Sequence, residues 1–389
     1  MHSGMFEFIA IERIVFGKPA AEALRAEADR LKAQRVFMIV SGTMNRTTDE
    51  VKKVRDALDG RCAGVFDRVP SHTPRETVLK IAKEARAAGT DLIVTFGGGS
   101  VTDAGKMTQL CLQHNITEYD QVDQFRTRVE TDGRRTVPQF EGPKVRQIAI
   151  PTTLSGGEFQ NQGGCTDTRK KVKQSFRHPL HVPRVTILDP VPTLHTPLWV
   201  WLSTGLRAVD HATEALCSPN NNPASDANFI QALKLLSSGL PRVKNDPNDM
   251  AARLDCQLAV WQAMTGRQGG AQMGASHAIG HVLGGSCDVP HGYTSCVMLP
   301  PVLRYNKSVN AERQKIVAEA MGHAGEDAAD VIAAFIKGLG LPGSLKDVGV
   351  GREQFEMIAN HAMHDSWLHT NPRKITEPAQ VMDILAMAA

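Results

Sequence analysis

Asp91-Leu92-Ile93-Val94-Thr95-Phe96-Gly97-Gly98-Gly99-Ser100-Val101-Thr102-Asp103 runs from a strand pattern straight into a glycine triplet and then into a helical pattern beginning near Asp103. A strand, a tight turn and a helix in immediate succession are the repeating unit of a parallel α/β sheet. Glycines at such a turn let backbone N–H groups approach an anion, and the helix N-terminus adds a favourable dipole for a diphosphate. The spacing is neither GxGxxG nor GxxxxGK[ST]. Taken alone the turn is a weak signal, which a plain tight turn also explains.

Outward from this stretch the alternation continues. Arg35 to Val40, Val65-Phe66, Val145 to Ile150 and Val185 to Leu188 read as further strands, with helices from about Asp49 and from Pro74 to Ala88. A second loop, Pro151-Thr152-Thr153-Leu154-Ser155-Gly156-Gly157-Glu158, also follows a strand. Two such loops at strand C-termini suggest one nucleotide crevice. From about Pro192 the pattern turns helical, over Thr204 to Cys217, Asp226 to Ser238, Met250 to Thr265, Ala275 to Leu283, Ala311 to Met321 and Ala328 to Leu339. This places an α/β domain over 1–190 and an all-helical domain over 191–389. Thr117 to Lys144 is polar without clear periodicity and reads as a surface excursion in preference to a substrate-covering lid.

Composition narrows the function classes. A length of 389 residues argues for two packed domains. With 44 Lys+Arg against 41 Asp+Glu and no long run of one sign, there is no nucleic-acid footprint. Arg169-Lys170-Lys171 reads as a solvated loop or a ligand contact. Seven scattered cysteines without a CxxC pair argue against a disulfide framework or a thiolate zinc site and fit a reducing cytoplasm. No stretch approaches the roughly 20 apolar residues of a membrane span, and the N-terminal residues lack a signal-peptide pattern.

Histidine carries the sharper signal. A four-residue spacing puts His277 and His281 on one helical face, His291 follows in a loop reading of Val289-Pro290-His291-Gly292, and His211 sits on a separate helix. Imidazoles from two helices and a loop could converge on a divalent metal or on a reacting carbonyl. Any one of them taken alone reads better as a hydrogen-bonded core histidine.

Together these motifs resemble the iron-containing (group III) alcohol dehydrogenase superfamily over nearly the whole chain. Gly97 to Asp103 matches its GGGS-x-x-D element and Pro151 to Glu158 its PTT loop, while His277 and His291 reproduce a histidine pair fourteen apart and His211 the histidine of an Asp-x-x-x-His helix. The resemblance implies a dehydroquinate synthase-like architecture, an N-terminal dinucleotide domain with an all-helical domain after it. It also implies a homodimer, and coenzyme contacts from Gly42, Gly98, Gly99, Ser100, Asp103, Thr152, Thr153, Ser155, Lys173 and Leu188. Gly42 stands where relatives that prefer NADH carry an aspartate, which opens the site to NADPH as well.

One departure redirects the reading. Where metal-dependent members place an aspartate ligand, this chain has Arg207. A guanidinium has no lone pair to donate and stays protonated. A three-histidine metal site on His211, His277 and His291, holding Fe²⁺ or Zn²⁺, is therefore the second option. Asp210 is a substitute carboxylate, turned about 100° away from His211 on the helix. The chain is similar to the maleylacetate reductase branch, which lacks the aspartate. That implies NAD(P)H-dependent reduction of an acidic keto or enone substrate, of the maleylacetate to 3-oxoadipate type in aromatic degradation. Asn371-Pro372-Arg373 and Arg13-Ile14-Val15-Phe16-Gly17 fit the same branch. Arg207 would pair with a carboxylate, and protonated members of the set His211, His277, His281 and His291 would share in stabilising the enolate. His281 is the expected proton donor, because the other three match metal-ligand positions. The competing readings are a metal-dependent alcohol dehydrogenase, a sugar-phosphate cyclase and an inactive scaffold.

Overall fold

The computed structural model describes residues 4–129 and 135–389. By internal contacts the chain divides into two compact units. One gathers Ile9–Arg128 and Thr136–Thr196, the other Pro197–Ala389 with the described residues up to Phe8 and with Val129 and Arg135.

Among the described residues up to Thr196 the chain forms ten strands and five α-helices. They are β1 (Arg13–Phe16), α1 (Ala20–Arg30), β2 (Val36–Val40), α2 (Gly42–Thr47), α3 (Glu50–Asp56), β3 (Cys62–Phe66), α4 (Arg75–Ala87), β4 (Leu92–Gly97) and α5 (Gly99–Gln113). After them come β5 (Arg128–Val129), β6 (Arg135–Thr136), β7 (Arg146–Pro151), β8 (Gln162–Asp167), β9 (Val172–Arg177) and β10 (Val185–Leu188). Six of the strands form one parallel sheet in the order β1-β10-β7-β4-β2-β3. β2, β4 and β10 are buried along their whole length, as strands covered on both faces must be. Their side chains alternate between two cores. Val36, Met38 and Val40 pack with Leu24, Val94 and Ile148, whereas Phe37 and Ile39 pack with Ile81, Ile93 and Ala104.

Register positions the site. Val40 pairs with Phe96 and Phe96 with Ile150, so β2, β4 and β7 end side by side. The Ser41 N–H donates to the Phe96 carbonyl and the Thr152 N–H to that of Gly97. The three following loops therefore leave one edge together. Two expectations change here. α5 begins at Gly99, with Gly98 as its cap, rather than near Asp103, and β8 and β9 form an antiparallel hairpin that the sequence reading did not separate. Of the Thr117 to Lys144 excursion, the part around Tyr119 and Asp123 is tied down. The fully buried Arg75 donates to the Tyr119 carbonyl, Asp123 and Gln174. Residues 130–134 of that expectation lie outside the described residues. Arg169 and Lys170 pair with Asp120 and Asp123, which makes Arg169-Lys170-Lys171 a solvated loop.

The second unit is helical: α6 (Leu198–Leu216), α7 (Pro223–Asn245), α8 (Met250–Gly266), α9 (Ala275–Ser286), α10 (His291–Ala320), α11 (Ala328–Leu339), α12 (Phe355–Ala362) and α13 (Pro378–Met387). α10 absorbs Pro300 and Pro301 and breaks only at Asn310. His291 is thus the first residue of a helix, not a loop residue. Among the described residues no helix is long and apolar enough to cross a membrane.

Candidate active site

The loops after β2, β3 and β4 enclose a cleft of about 460 Å³ lined by Ser41, Gly42, Thr43, Arg46, Asp67, Arg68, Val69, Pro70 and Gly98 to Val101. No side chain caps α5, so its positive end is offered to the cleft. A Cβ on Gly98 would sit 3.1 Å from Thr153 Cγ2, and one on Gly99 3.2 Å from Ser155 Oγ. Gly98 and Gly99 are glycine because the Thr152–Ser155 loop lies directly against them, whereas a Cβ on Gly97 would meet Val101 and Ser41. Thr153 and Ser155 bond each other at 2.8 Å. Lys173 pairs with Asp103 at 3.7 Å, and Gly164 leaves the space in which they meet.

Of the expected coenzyme residues, Gly42, Gly98, Gly99 and Ser100 line the cleft, with Thr153 and Ser155 beside them. Leu188 is not among the residues that line the cleft; it is buried at the end of β10, in register with Phe16 and on the strand next to β7, which leads into the Thr152–Ser155 loop. Gly42 also needs correction as the place where a carboxylate could stand, since a Cβ there would clash with the Asp67 carbonyl and lie 2.8 Å from an Arg46 nitrogen. The sequence reading missed Arg68 and Lys106. Lys106 is fully buried, donates to the carbonyls of Gly157, Gln160 and Gln162, and is pushed down to about 8 by burial. It anchors the segment that follows Ser155. Its buried neighbour Glu158 is pushed up to about 7 by burial.

In the helical unit α6 presents Arg207, Asp210, His211 and Glu214, all buried. His211 stacks on His277 with ring centres 4.7 Å apart, and His281 lies parallel to His291 at 6.4 Å. Trp367 links the two pairs, edge-on to His277 at 5.5 Å and tilted on His281 at 4.9 Å. The four expected histidines therefore do come together.

α9 is held by its own unit. Glu214 accepts the N–H groups of Gly274 and Ser276, and Asn371 accepts that of Ala275. His277 Nδ1 bonds Glu214 at 2.8 Å and lies 3.3 Å from Asp210, which accepts the Ser276 hydroxyl. Burial dominates the protonation of this cluster. It pushes Asp210 up to about 6; with the Asp210 charge beside it, Glu214 rises to about 8. It lowers Arg207 to about 10. His211 and His277 are held well below the usual imidazole range by burial and by the Arg207 charge. The expectation that protonated His211 and His277 supply positive field runs against their burial, which disfavours the charged form of both, and two guanidinium groups bring positive charge to the same cluster. One is Arg207. The second is Arg267, unanticipated from sequence, which stands over Trp367 at 5.9 Å and whose charge also depresses both histidines.

A divalent ion of the kind the resemblance implies does not fit these donors. Among the described residues Asp210, Glu214 and His277 bring ligand atoms within 4.8 Å of one another. Asp210 Oδ2 and both Glu214 oxygens, however, already accept from Ser276, Gly274 and His277, which leaves Asp210 Oδ1 and His277 Nε2 as the buried ligand atoms of this trio without a partner. The position of the missing aspartate is filled by the Arg207 cation, which repels such an ion.

His281 is differently placed. It is 36% exposed, and its Nδ1 bonds Asp365 Oδ2 at 2.7 Å, while Asp365 Oδ1 accepts the Trp367 N–H at 2.8 Å. A carboxylate on Nδ1 fixes the ring and its tautomer and leaves Nε2 for proton transfer. Asp365, Trp367 and Arg267 were not anticipated. The one available hint was that Asp365 and Trp367 lie just before Asn371-Pro372-Arg373.

Comparison with known proteins agrees with this geometry. Residues 12–190 match the iron-containing alcohol dehydrogenase family, and residues 201–389 match the C-terminal part of the Fe-containing alcohol dehydrogenase family. Dehydrogenase FUM7 of Gibberella moniliformis is 34% identical, covering 97% of this chain and 96% of the relative. Maleylacetate reductase of Rhizobium sp. (strain MTP-10005) is 32% identical, covering 90% and 88%. The crystal structure of maleylacetate reductase from Agrobacterium tumefaciens superposes with a TM-score of 0.82 at 29% identity, over 100% of this chain and 98% of that one. The chain is an oxidoreductase that belongs to the iron-containing alcohol dehydrogenase family, in its maleylacetate reductase-like branch.

Proposed function

We propose that this protein is an NAD(P)H-dependent reductase of a carboxylated ketone or enone, with maleylacetate as the compound to test first, working as a cytoplasmic homodimer in the breakdown of aromatic compounds. The observation that carries the reading is Arg207, a buried cation where metal-dependent relatives carry an anionic ligand. A buried guanidinium with donors to spare selects a carboxylate.

When bound, the nicotinamide supplies a hydride to the electrophilic carbon of the substrate. The glycine turn and α5 hold its diphosphate, and the Thr152–Ser155 loop closes against them. Arg207 pairs with the substrate carboxylate and, with Arg267, stabilises the enolate that forms as the hydride arrives. His281 gives its Nε2 proton to that enolate, and Asp365 stabilises the charged ring beforehand without itself taking the proton. The substrate gains one hydride and one proton, and His281 is reprotonated from water. For the coenzyme, Arg46 and Arg68 flank Asp67 at 3.8 and 4.0 Å and Asn45 donates to it at 2.9 Å. Two cations beside this carboxylate offset its repulsion of a 2′-phosphate, which supports acceptance of NADPH alongside NADH.

The test is coenzyme oxidation at 340 nm with maleylacetate, with its neutral ester and with a panel of simple aldehydes. Turnover of the acid, at least a hundredfold above the ester and the aldehydes in kcat/KM, is expected. Preference for the aldehydes would overturn the reading.

A further inference from the structure

We propose that His72 and Thr73 are coenzyme-positioning residues, which hold Ser100 in the orientation where its hydroxyl donates to the coenzyme diphosphate. The inference rests on the coenzyme reading of the cleft and names a further part of it.

His72 and Thr73 have backbone φ of 62° and 52°, two successive non-glycine residues in the left-handed region. For a β-branched threonine this is an outlier, and such strain persists only where surrounding bonds impose it. Four bonds do so here. The His72 N–H donates to Ser100 Oγ at 3.1 Å, and Thr73 Oγ1 donates to the Ser100 carbonyl at 3.0 Å. Thr166 donates its N–H to the Thr73 carbonyl at 3.0 Å and its hydroxyl to the His72 carbonyl at 2.6 Å. Thr73 is fully buried and His72 exposed. The same loop contributes Val69 and Pro70 to the cleft wall.

The consequence lies in hydroxyl chemistry. Ser100 is the second residue of α5 and lines the cleft. Its oxygen has one proton to give and two lone pairs. Once the His72 N–H occupies a lone pair, the proton must go elsewhere, and at the start of a fifteen-residue helix the favoured acceptor is an anion. Without the tie, a serine near a helix start can turn its hydroxyl onto nearby backbone. A loop needed only to join β3 to α4 would carry glycine at left-handed positions. The strained pair instead carries side chains, and one of those side chains, with one backbone N–H, is spent on Ser100.

The test measures NADH and NADPH dissociation constants by fluorescence titration, kcat at saturating coenzyme, and Tm. Thr73→Val should weaken binding of both coenzymes about tenfold, as expected for loss of one hydrogen bond, with kcat and Tm close to wild type. Thr73→Ser should restore affinity. In a Ser100→Ala background Thr73→Val should cost nothing more, because the hydroxyl it positions is gone. Thr166→Val, which cuts the tie to His72 from the other side, should weaken binding about threefold and serves if Thr73→Val does not fold. Unchanged affinity in Thr73→Val or in Thr166→Val, no rescue by serine, or a loss that adds in full to that of Ser100→Ala would each overturn the proposal. A wild-type protein that binds neither coenzyme would instead overturn the coenzyme reading, and this inference with it.

Discussion

Replacing Arg207 by methionine removes the charge while keeping much of the volume, and the structure sets both sizes of effect. Among the described residues the guanidinium makes one side-chain hydrogen bond, to Ser295 Oγ at 3.4 Å, out of five N–H donors. Most of its donors are therefore available to substrate. Losing a buried charged pair with a carboxylate costs about 2–5 kcal/mol, so kcat/KM on maleylacetate should fall by roughly 30- to 5000-fold. Stability should suffer much less. Glu214, pushed up to about 8, is already mostly protonated at pH 7. Asp210, near 6, must take up a proton once Arg207 is gone. That costs on the order of 1.4 kcal/mol per pH unit between its pKa and the buffer, and the Tm should drop by only a few degrees. The assay compares kcat/KM of wild type and Arg207→Met on the acid and on its neutral ester, with Tm recorded for each. Equal losses on acid and ester would show that Arg207 shapes the site without clamping a carboxylate and would refute the reasoning.

Asp365→Asn should lower kcat about a hundredfold with KM within a few-fold of wild type, since it disturbs the orienting bond on His281 and leaves the substrate clamp intact; steady-state kinetics at saturating coenzyme decide it. Arg46→Ala should shift the ratio of kcat/KM from NADPH toward NADH by about tenfold, through loss of a 2′-phosphate partner; an unmoved ratio places that phosphate elsewhere. Glu158 carries a folded-state pKa raised to about 7. The native state thus binds the extra proton, and the stability that this proton contributes is present at low pH and lost as pH rises through 7. Relative to Glu158→Gln, wild type should lose about 2 kcal/mol between pH 5.5 and 7.5 in urea unfolding, and parallel pH profiles would contradict the burial argument.

The sheet unit was legible because strands covered on both faces read as unbroken apolar runs, and because Gly97 to Asp103 and Pro151 to Glu158 follow two such runs that turn out to be neighbours. The histidine cluster was half legible. A four-residue spacing fixes a helical face, so His277 and His281 could be paired from sequence. That Asp365 and Trp367 meet them is decided by the packing of the loop after α12 onto α9, 84 residues apart in the chain for the His281–Asp365 bond, which no local pattern encodes. The first half of α10 was missed because Pro300-Pro301 reads as a breaker, yet the helix carries both. The disfavoured protonation of His211 and His277 was also invisible, because it follows from complete burial beside Arg207 and not from residue type.

The central claim is that Arg207 does the electrostatic work that a bound metal does in related enzymes. Its most direct test is elemental analysis of purified wild-type protein together with maleylacetate turnover before and after dialysis against a strong chelator. The account predicts far less than one iron or zinc per chain and unchanged turnover after dialysis. Stoichiometric metal whose removal abolishes activity and whose return restores it would contradict the account.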